Sequence, residues 1–195
     1  MLVKVKAAVS PAVSLADARQ YCNAPADDDA LVERALQAAV AYAEQHAQLV
    51  LAPTCFEWRA HWWPGGAEVV LPVAPLREVA SVKYLDAGGV ERTVAPADYT
   101  WRRTCEGAGL RFTTDFAFPP LADAADAVRI ALSAGFSLPA DEESDPELVL
   151  PPQAAMAVLM LTEHWYEYRG IVSEGTKAPL VLSADALLAQ LRIYR

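Results

Sequence analysis

The chain has 195 residues, a formal net charge of −9 and a hydrophobic fraction of 54%. That length suits one domain or a domain with an insertion, and the apolar content, although inflated by alanine, is enough for a core. With no clustered basic face in the sequence, the charge argues against tight DNA binding, while an acidic lining that repels DNA stays compatible with it. Cys22, Cys55 and Cys105 are odd in number and contain no CxxC pair, which speaks against a zinc ribbon or redox motif and for free, mostly buried thiols in a reducing cytoplasm. Met1 to Lys6 leads into no long apolar run of a signal peptide, and no stretch approaches the ~20 apolar residues of a membrane span.

Ser14-Leu-Ala-Asp17 reads as a capping box that opens a short helix ending near Asn23-Ala24-Pro25. Asp27, Asp28 and Asp29 offer a cap and negative charge to a second helix, expected from about Asp29 to about Leu49. Val32, Leu36, Ala39, Val40, Ala43, Ala47 and Val50 recur at spacings of three and four and form its apolar stripe. Pro53 ends the helical region. From Thr54 to Ala134 the sequence breaks into short strand-like runs: Cys55 to Trp62, Glu68 to Val73, Val79 to Leu85, Val90 to Val94, Tyr99 to Arg103, Gly109 to Thr113 and Ala127 to Ser133. Pro72 and Pro75 confine the second to an edge or an end. Asp86-Ala-Gly-Gly89 is a turn in which glycine permits positive φ, with Val90 to Val94 returning as the hairpin partner.

ADEESDPE, from Ala140 to Glu147, reads as an acidic, solvated linker. Pro151 and Pro152 suit the first turn of a helix over Gln153 to Arg169, with Gly170 as its C-cap. Its expected stripe is Ala155, Val158, Leu159, Thr162, Trp165 and Tyr166. Met156, Met160, Leu161 and Tyr168 fall outside, so the helix is apolar on more than one face and belongs either in the core or against a neighbouring subunit. Val40 and Leu159 are expected to share one core. After a loop from Gly175 to Pro179, Ser183 is placed to cap a last helix from Ala184 to about Ile193, striped by Leu187, Leu188 and Leu191.

No constellation of residues carries recognisable catalysis. His46, His61 and His164 are the only histidines; Glu163-His164 resembles part of an HExxH zinc motif, but position 167 is Glu. No GxSxG elbow exists, and Gly88-Gly89 and Gly107-Ala-Gly109 are too short for phosphate loops. The expectation is therefore no catalytic, cofactor-binding or metal-binding residue. Trp58, Trp62 and Trp63, with Arg59 and His61, either form an aromatic ligand platform or divide between a sheet core and an interface.

The capped helix, the long helix, LPVAPLREVASVKYLDAGG, the AGF at Ala134 to Phe136, and the LPP leading to a helix that ends HWYEYRG together resemble the head–tail connector (adaptor) family of tailed phages and gene transfer agents. The likeness extends over nearly the whole chain and lapses over 104–126. It implies a structural subunit of a twelve-membered ring below the portal, through which DNA passes without specific binding. Tyr166, Glu167 and Arg169 match the family's helix-end pattern. The helix apolar on more than one face offers Trp165, Tyr168 and Arg169 as the subunit interface, since large aromatics dominate such contacts, and the likeness implies a short portal contact from Leu191, Arg192, Ile193, Tyr194 and Arg195.

The fold expected from all this is α+β: a helical bundle formed by both chain ends with a small antiparallel β-rich insertion. Its divisions are 1–53 for the N-terminal helices, 54–136 for the insertion, and 137–195 for the acidic linker and C-terminal helices. The expected partners are other copies of the chain, the portal, a tail-side stopper or tail terminator protein, and passing DNA, with no membrane. The expected location is the neck of a phage-like particle assembled in the bacterial cytoplasm. The competing readings are a carbohydrate- or protein-binding β module with helical flanks, using Trp58 to Trp63, and more remotely a hydrolase.

Overall fold

The structure, a computed structural model, describes residues 1–6, 11–64, 68–104, 107–137, 145, 148–168 and 178–193. The chain divides into two compact units: a sheet unit of Met1–Val9, Pro53–Gly135 and Tyr194–Arg195, and a helical unit of Ser10–Ala52 and Phe136–Ile193.

The sheet unit holds strands β1 (Leu2–Lys6), β2 (Thr54–Ala60), β3 (Val69–Leu71), β4 (Leu76–Leu85), β5 (Glu91–Thr93), β6 (Tyr99–Thr104), β7 (Gly107–Phe112) and β8 (Val128–Ala134). They form a five-stranded sheet in the order β1-β2-β8-β4-β5 and a three-stranded sheet in the order β3-β7-β6, with every pairing antiparallel. Strand β8 is central, and its alternation is clean: Val128, Ile130, Leu132 and Ala134 are buried while Arg129, Ala131 and Ser133 are half-buried. Strand β4 breaks register between Leu76 and Glu78 and again between Val79 and Ser81, so its pairing with β8 is regular only from Ser81 to Tyr84. The β4–β5 hairpin turns where expected. Gly89 has φ +77°, and Asp86 ties the turn by accepting from the Gly88 and Val90 amides, both at 3.0 Å.

The helical unit holds α1 (Leu15–Tyr21), α2 (Asp29–Ala47), α3 (Pro152–Glu167) and α4 (Ala178–Ala189). Ser14 caps α1 as expected, its Oγ accepting from the Asp17 amide at 3.0 Å. Asp28 precedes α2 without a capping side-chain bond; its carboxylate accepts instead from the Tyr166 hydroxyl at 2.6 Å. Helix α2 ends at Gln48, a left-handed residue with φ 58°, whose amide bonds the Glu44 carbonyl. Helix α4 begins six residues before the expected Ala184, with Ser183 inside it. Pro179 does not stop it, because a proline in a helix's first turn has no amide to leave unpaired.

The expected helical bundle formed by both chain ends, carrying a small insertion, is not the fold observed. The protein is a mixed α/β chain of four helices and two antiparallel sheets of eight strands among the described residues. The N-terminal end is itself a strand: Leu2, Val3 and Lys4 pair with Trp58, Glu57 and Phe56. Five residues of alternating Val and Lys are too few for a pattern count to register, and the strand exists because β2 offers an open edge.

The helical core is narrower than the sequence stripe. Buried on α2 are Val32, Ala35, Leu36, Ala39, Ala43 and Ala47; on α3, Ala154, Ala157, Val158, Leu161 and Thr162. Val40 and Leu159 are half-buried, and the expected stripe on α3 shares Val158 and Thr162 with the buried one but is rotated from it by about a quarter of a turn. Alanine explains the displacement: small side chains let α2 and α3 approach closely, yet they score weakly as hydrophobic signal. The buried Thr162 hydroxyl is satisfied by the Val158 carbonyl at 2.7 Å. Replacing Leu161, which is 1% exposed, by Ala is expected to lower helical-unit stability by about 2–5 kcal/mol, and Leu159→Ala by under ~2 kcal/mol. Denaturant titration followed by helical circular dichroism measures both, and equal effects would contradict the observed stripe.

Candidate functional site

On the helical unit, aromatic residues from α2 and α3 meet a carboxylate from α4. The Tyr42 hydroxyl donates to Asp185 Oδ1 at 2.8 Å, and His46 Nδ1 lies 3.8 Å from the same oxygen. The rings of Tyr42 and His46 stack at 5.8 Å, and Trp165 meets Tyr42 edge-on at 5.9 Å. Burial, with the Asp185 hydrogen bond second, pushes the Tyr42 hydroxyl above its ordinary pKa. Beside this cluster is a groove of about 360 Å³ lined by Leu31, Arg34, Ala35, Trp165 and Tyr166.

Trp165 is half-buried and one side of it stays open at the groove, while Tyr168 packs its ring on His164 at 5.3 Å. Arg169 lies outside the described residues. Leu191 is half-buried, Arg192 exposed, and the Ile193 amide donates to the Ala47 carbonyl at 3.1 Å, so this end of the chain is tied to the end of α2. Tyr194 and Arg195 lie outside the described residues. Trp165 lies in α3 and Tyr168 caps its end; Ile193 is tied to Ala47 and Leu191 to Leu188. Glu163 and Glu167 face Cys22, whose thiol is pushed up by burial first and then by both carboxylates. Among the described residues, His164 Nδ1 is buried without a hydrogen-bond partner. Among the described residues no group of three or more His, Cys, Asp or Glu is placed to hold a metal ion.

In the sheet unit the three tryptophans separate. Trp63 stands in a ring cluster with Tyr84, Phe112, Phe116 and Phe118 at centroid distances of 5.3 to 5.6 Å, and its indole donates to the Pro119 carbonyl at 2.7 Å. Trp62 is 68% exposed and, among the rings of the described residues, touches His61 alone. Trp58 sits within β2 opposite Ile130 of β8, so the three do not make one ligand platform. Cys55 is exposed, against the expected burial, and Cys105 lies outside the described residues.

Sequence reading missed Asp28, Asp185 and the phenylalanines of 112–118. The two aspartates act through partners 138 and 143 residues away, which no local pattern registers. The Phe112, Phe116, Phe118 spacing was visible, but it lies in a segment of low regularity.

No family model and no curated protein matches the chain. Three solved structures are similar to it over 100% of its length and 96% of theirs, each at 26% identity. They are a chain from the neck of an empty gene transfer agent particle with C6 symmetry (TM-score 0.78), one from the virion of a native gene transfer agent particle (0.74), and one from the neck of a native particle with C12 symmetry (0.73).

Two outcomes follow from this geometry. Trp63→Ala should destabilise the sheet unit by about 2–3 kcal/mol, less than a fully buried aromatic because Trp63 is half exposed, whereas Trp62→Ala should stay within ~0.5 kcal/mol; thermal melts decide between them. The second is a pH response. Backbone bonds from Val90, then Arg92, hold Asp86 below the ordinary carboxylate range, and Lys83 does the same for Glu91. A lowered folded pKa contributes stability that is present above the unfolded value, about 4, and is lost as pH falls further. Tyr42 and Tyr21 are raised, so their contribution is present below their unfolded value of about 10 and is lost on further alkalinisation. Amide exchange should therefore show the β4–β5 hairpin losing protection in acid and α1, α2 and α4 losing it in alkali.

Proposed function

We propose that this protein is a structural subunit of the neck of a gene-transfer-agent-like or phage-like particle, and within that neck the adaptor that joins the portal to tail components. The observation that carries the reading is the full-length likeness to neck chains at 26% identity and TM-scores of 0.73 to 0.78. The C6 and C12 symmetries of those necks support a ring of copies, for which we adopt twelve. DNA passes through the ring without specific binding, in keeping with a formal charge of −9. The tail-side partner is a stopper or tail terminator protein, and the ring is assembled in the bacterial cytoplasm.

Within this reading Trp165, Tyr168 and Arg169 contribute to the contact between copies. Large aromatics dominate such contacts, and Trp165 keeps an open side at the groove with Arg34. Leu191, Arg192, Ile193, Tyr194 and Arg195 contact the portal. The Ile193–Ala47 hydrogen bond fixes where that segment departs from the helical unit.

The test is assembly with the portal protein encoded beside this chain. Mixed with it, the intact protein should form ring-bearing complexes visible by electron microscopy. Absence of portal binding at every concentration tried would end the adaptor reading. Deleting Tyr194 and Arg195 spares the Ile193–Ala47 bond; the shortened chain should melt with the intact one yet bind portal about tenfold more weakly, ~1.4 kcal/mol. Equal binding would remove the tail from the portal contact.

A further inference from the structure

The ionisable residues are divided unevenly between the two units. The helical unit has 15 Asp and Glu against 5 Lys and Arg, a formal −10, while the sheet unit has 10 against 11, a formal +1. The chain's negative charge therefore resides on its helical half.

The three-stranded sheet carries an unusual arrangement on one face. Gly109 of β7 stands between Val70 of β3 and Arg102 of β6. A Cβ at Gly109 would lie 1.7 Å from Glu68 Oε1, so the missing side chain is what lets Glu68 reach across β7. There it grips Arg102 in a two-pronged pair, Nε to Oε1 at 3.0 Å and Nη2 to Oε2 at 2.7 Å. Arg111, two residues beyond Gly109 and so on the same face, is exposed, and among the described residues its side chain has no hydrogen bond or ion pair. It stands near enough to add to the lowering of Glu68, after the larger contribution of Arg102. Arg102 remains 71% exposed, with guanidinium donors left over after Glu68 has used two. The result is a notch of about 250 Å³ lined by Glu68, Thr100, Trp101, Arg102, Gly109 and Arg111, in which one guanidinium grips the carboxylate and a second stands near it.

We propose that this notch receives a carboxylate from the helical unit of a second copy of the chain. The inference rests on the ring reading above and names its second surface. A closed ring of more than two copies is built from heterologous contacts, so each copy needs two different, complementary faces. Excess acid on one unit and an under-neutralised arginine pair on the other supply such faces. Tying β3 to β6 requires Arg102 alone and leaves Arg111 without a role. Phosphate of DNA is the competing ligand, but a −10 unit in the same chain works against its approach. The contact therefore adds rate and specificity to assembly and weakens with salt.

The experiment uses the full chain assembled on its portal. In rings mixed from isotopically light and heavy copies of the Arg111→Lys variant, carbodiimide should couple position 111 to an Asp or Glu of a different copy, within 10–52 or 136–193, as mapped by mass spectrometry. Arg111→Glu should keep the wild-type melting temperature and raise the half-assembly concentration about tenfold or more. Rings that form at the wild-type concentration with Arg111→Glu, or couplings found only within a copy or to the portal, would overturn the notch while leaving the ring intact. If Arg111→Glu fails to fold, the coupling result alone decides. Retardation of duplex DNA that Arg111→Glu abolishes would reassign the notch to phosphate and overturn the proposal. Should the wild-type chain form no ring at all, the ring reading fails and the notch with it.

Discussion

The structure depends on one strand pair. Thr54 and Ala134, at the two ends of the long excursion into the sheet unit, lie opposite each other in the β2–β8 ladder. Opposed residues of an antiparallel pair stand about 5 Å apart, so the chain leaves and rejoins the helical unit's segments at neighbouring points. Were the intervening residues a flexible loop, closing it would cost about 4 kcal/mol in chain entropy before α2 and α3 could meet. Closure in register removes most of that. The same register fixes the face of every residue along β8, which is why the central strand alternates so cleanly while the edges do not.

With the closure in place, the helical unit is held by contacts that are far apart in sequence. The Tyr166–Asp28 and Tyr42–Asp185 hydrogen bonds join α3 to the start of α2 and α4 to its middle. Both use a phenol as donor and a carboxylate as acceptor, and both leave an aromatic ring lying on the helix surface. In a unit with a formal charge of −10 these two carboxylates accept hydrogen bonds from tyrosine hydroxyls rather than from the few arginines. It also leaves Trp165 braced edge-on by Tyr42 with its far side open. A rigid, half-buried aromatic loses little conformational freedom on contact with a partner, which is the property an assembly interface needs.

Much of the secondary structure was legible because it is periodic over many residues or marked by a turn. Helix α2 starts where Asp27 to Asp29 stand and stops within two residues of the expected end, and the β4–β5 hairpin follows from Asp86-Ala-Gly-Gly89. The fold class was misread because β1 is short and is made a strand only by the edge it joins. The buried face of α3 was misread because Ala154 and Ala157 mark it, and alanine carries little hydrophobic signal despite permitting the closest packing. Pro179 read as a break, yet its position in the first turn of α4 removes the conflict. The site was less legible than the fold. Trp58, Trp62 and Trp63 are near neighbours in sequence, but β pleating and the turn after β2 send them to different surroundings, and only pairing geometry tells which.

That difference reflects what a structural protein asks of its residues. A catalytic site concentrates rare side chains at short distances, and such constellations are visible in sequence as motifs. An assembly surface spreads its free energy over half-buried aromatics and charge pairs that also occur on any folded protein's surface. Such residues can drift individually while the backbone that presents them persists, and a 26% identical chain can then follow the same path at a TM-score of 0.78. What sequence retains of the function is therefore its coarse physics: a strand closure that brings the ends of the excursion together, and a charge imbalance between two units.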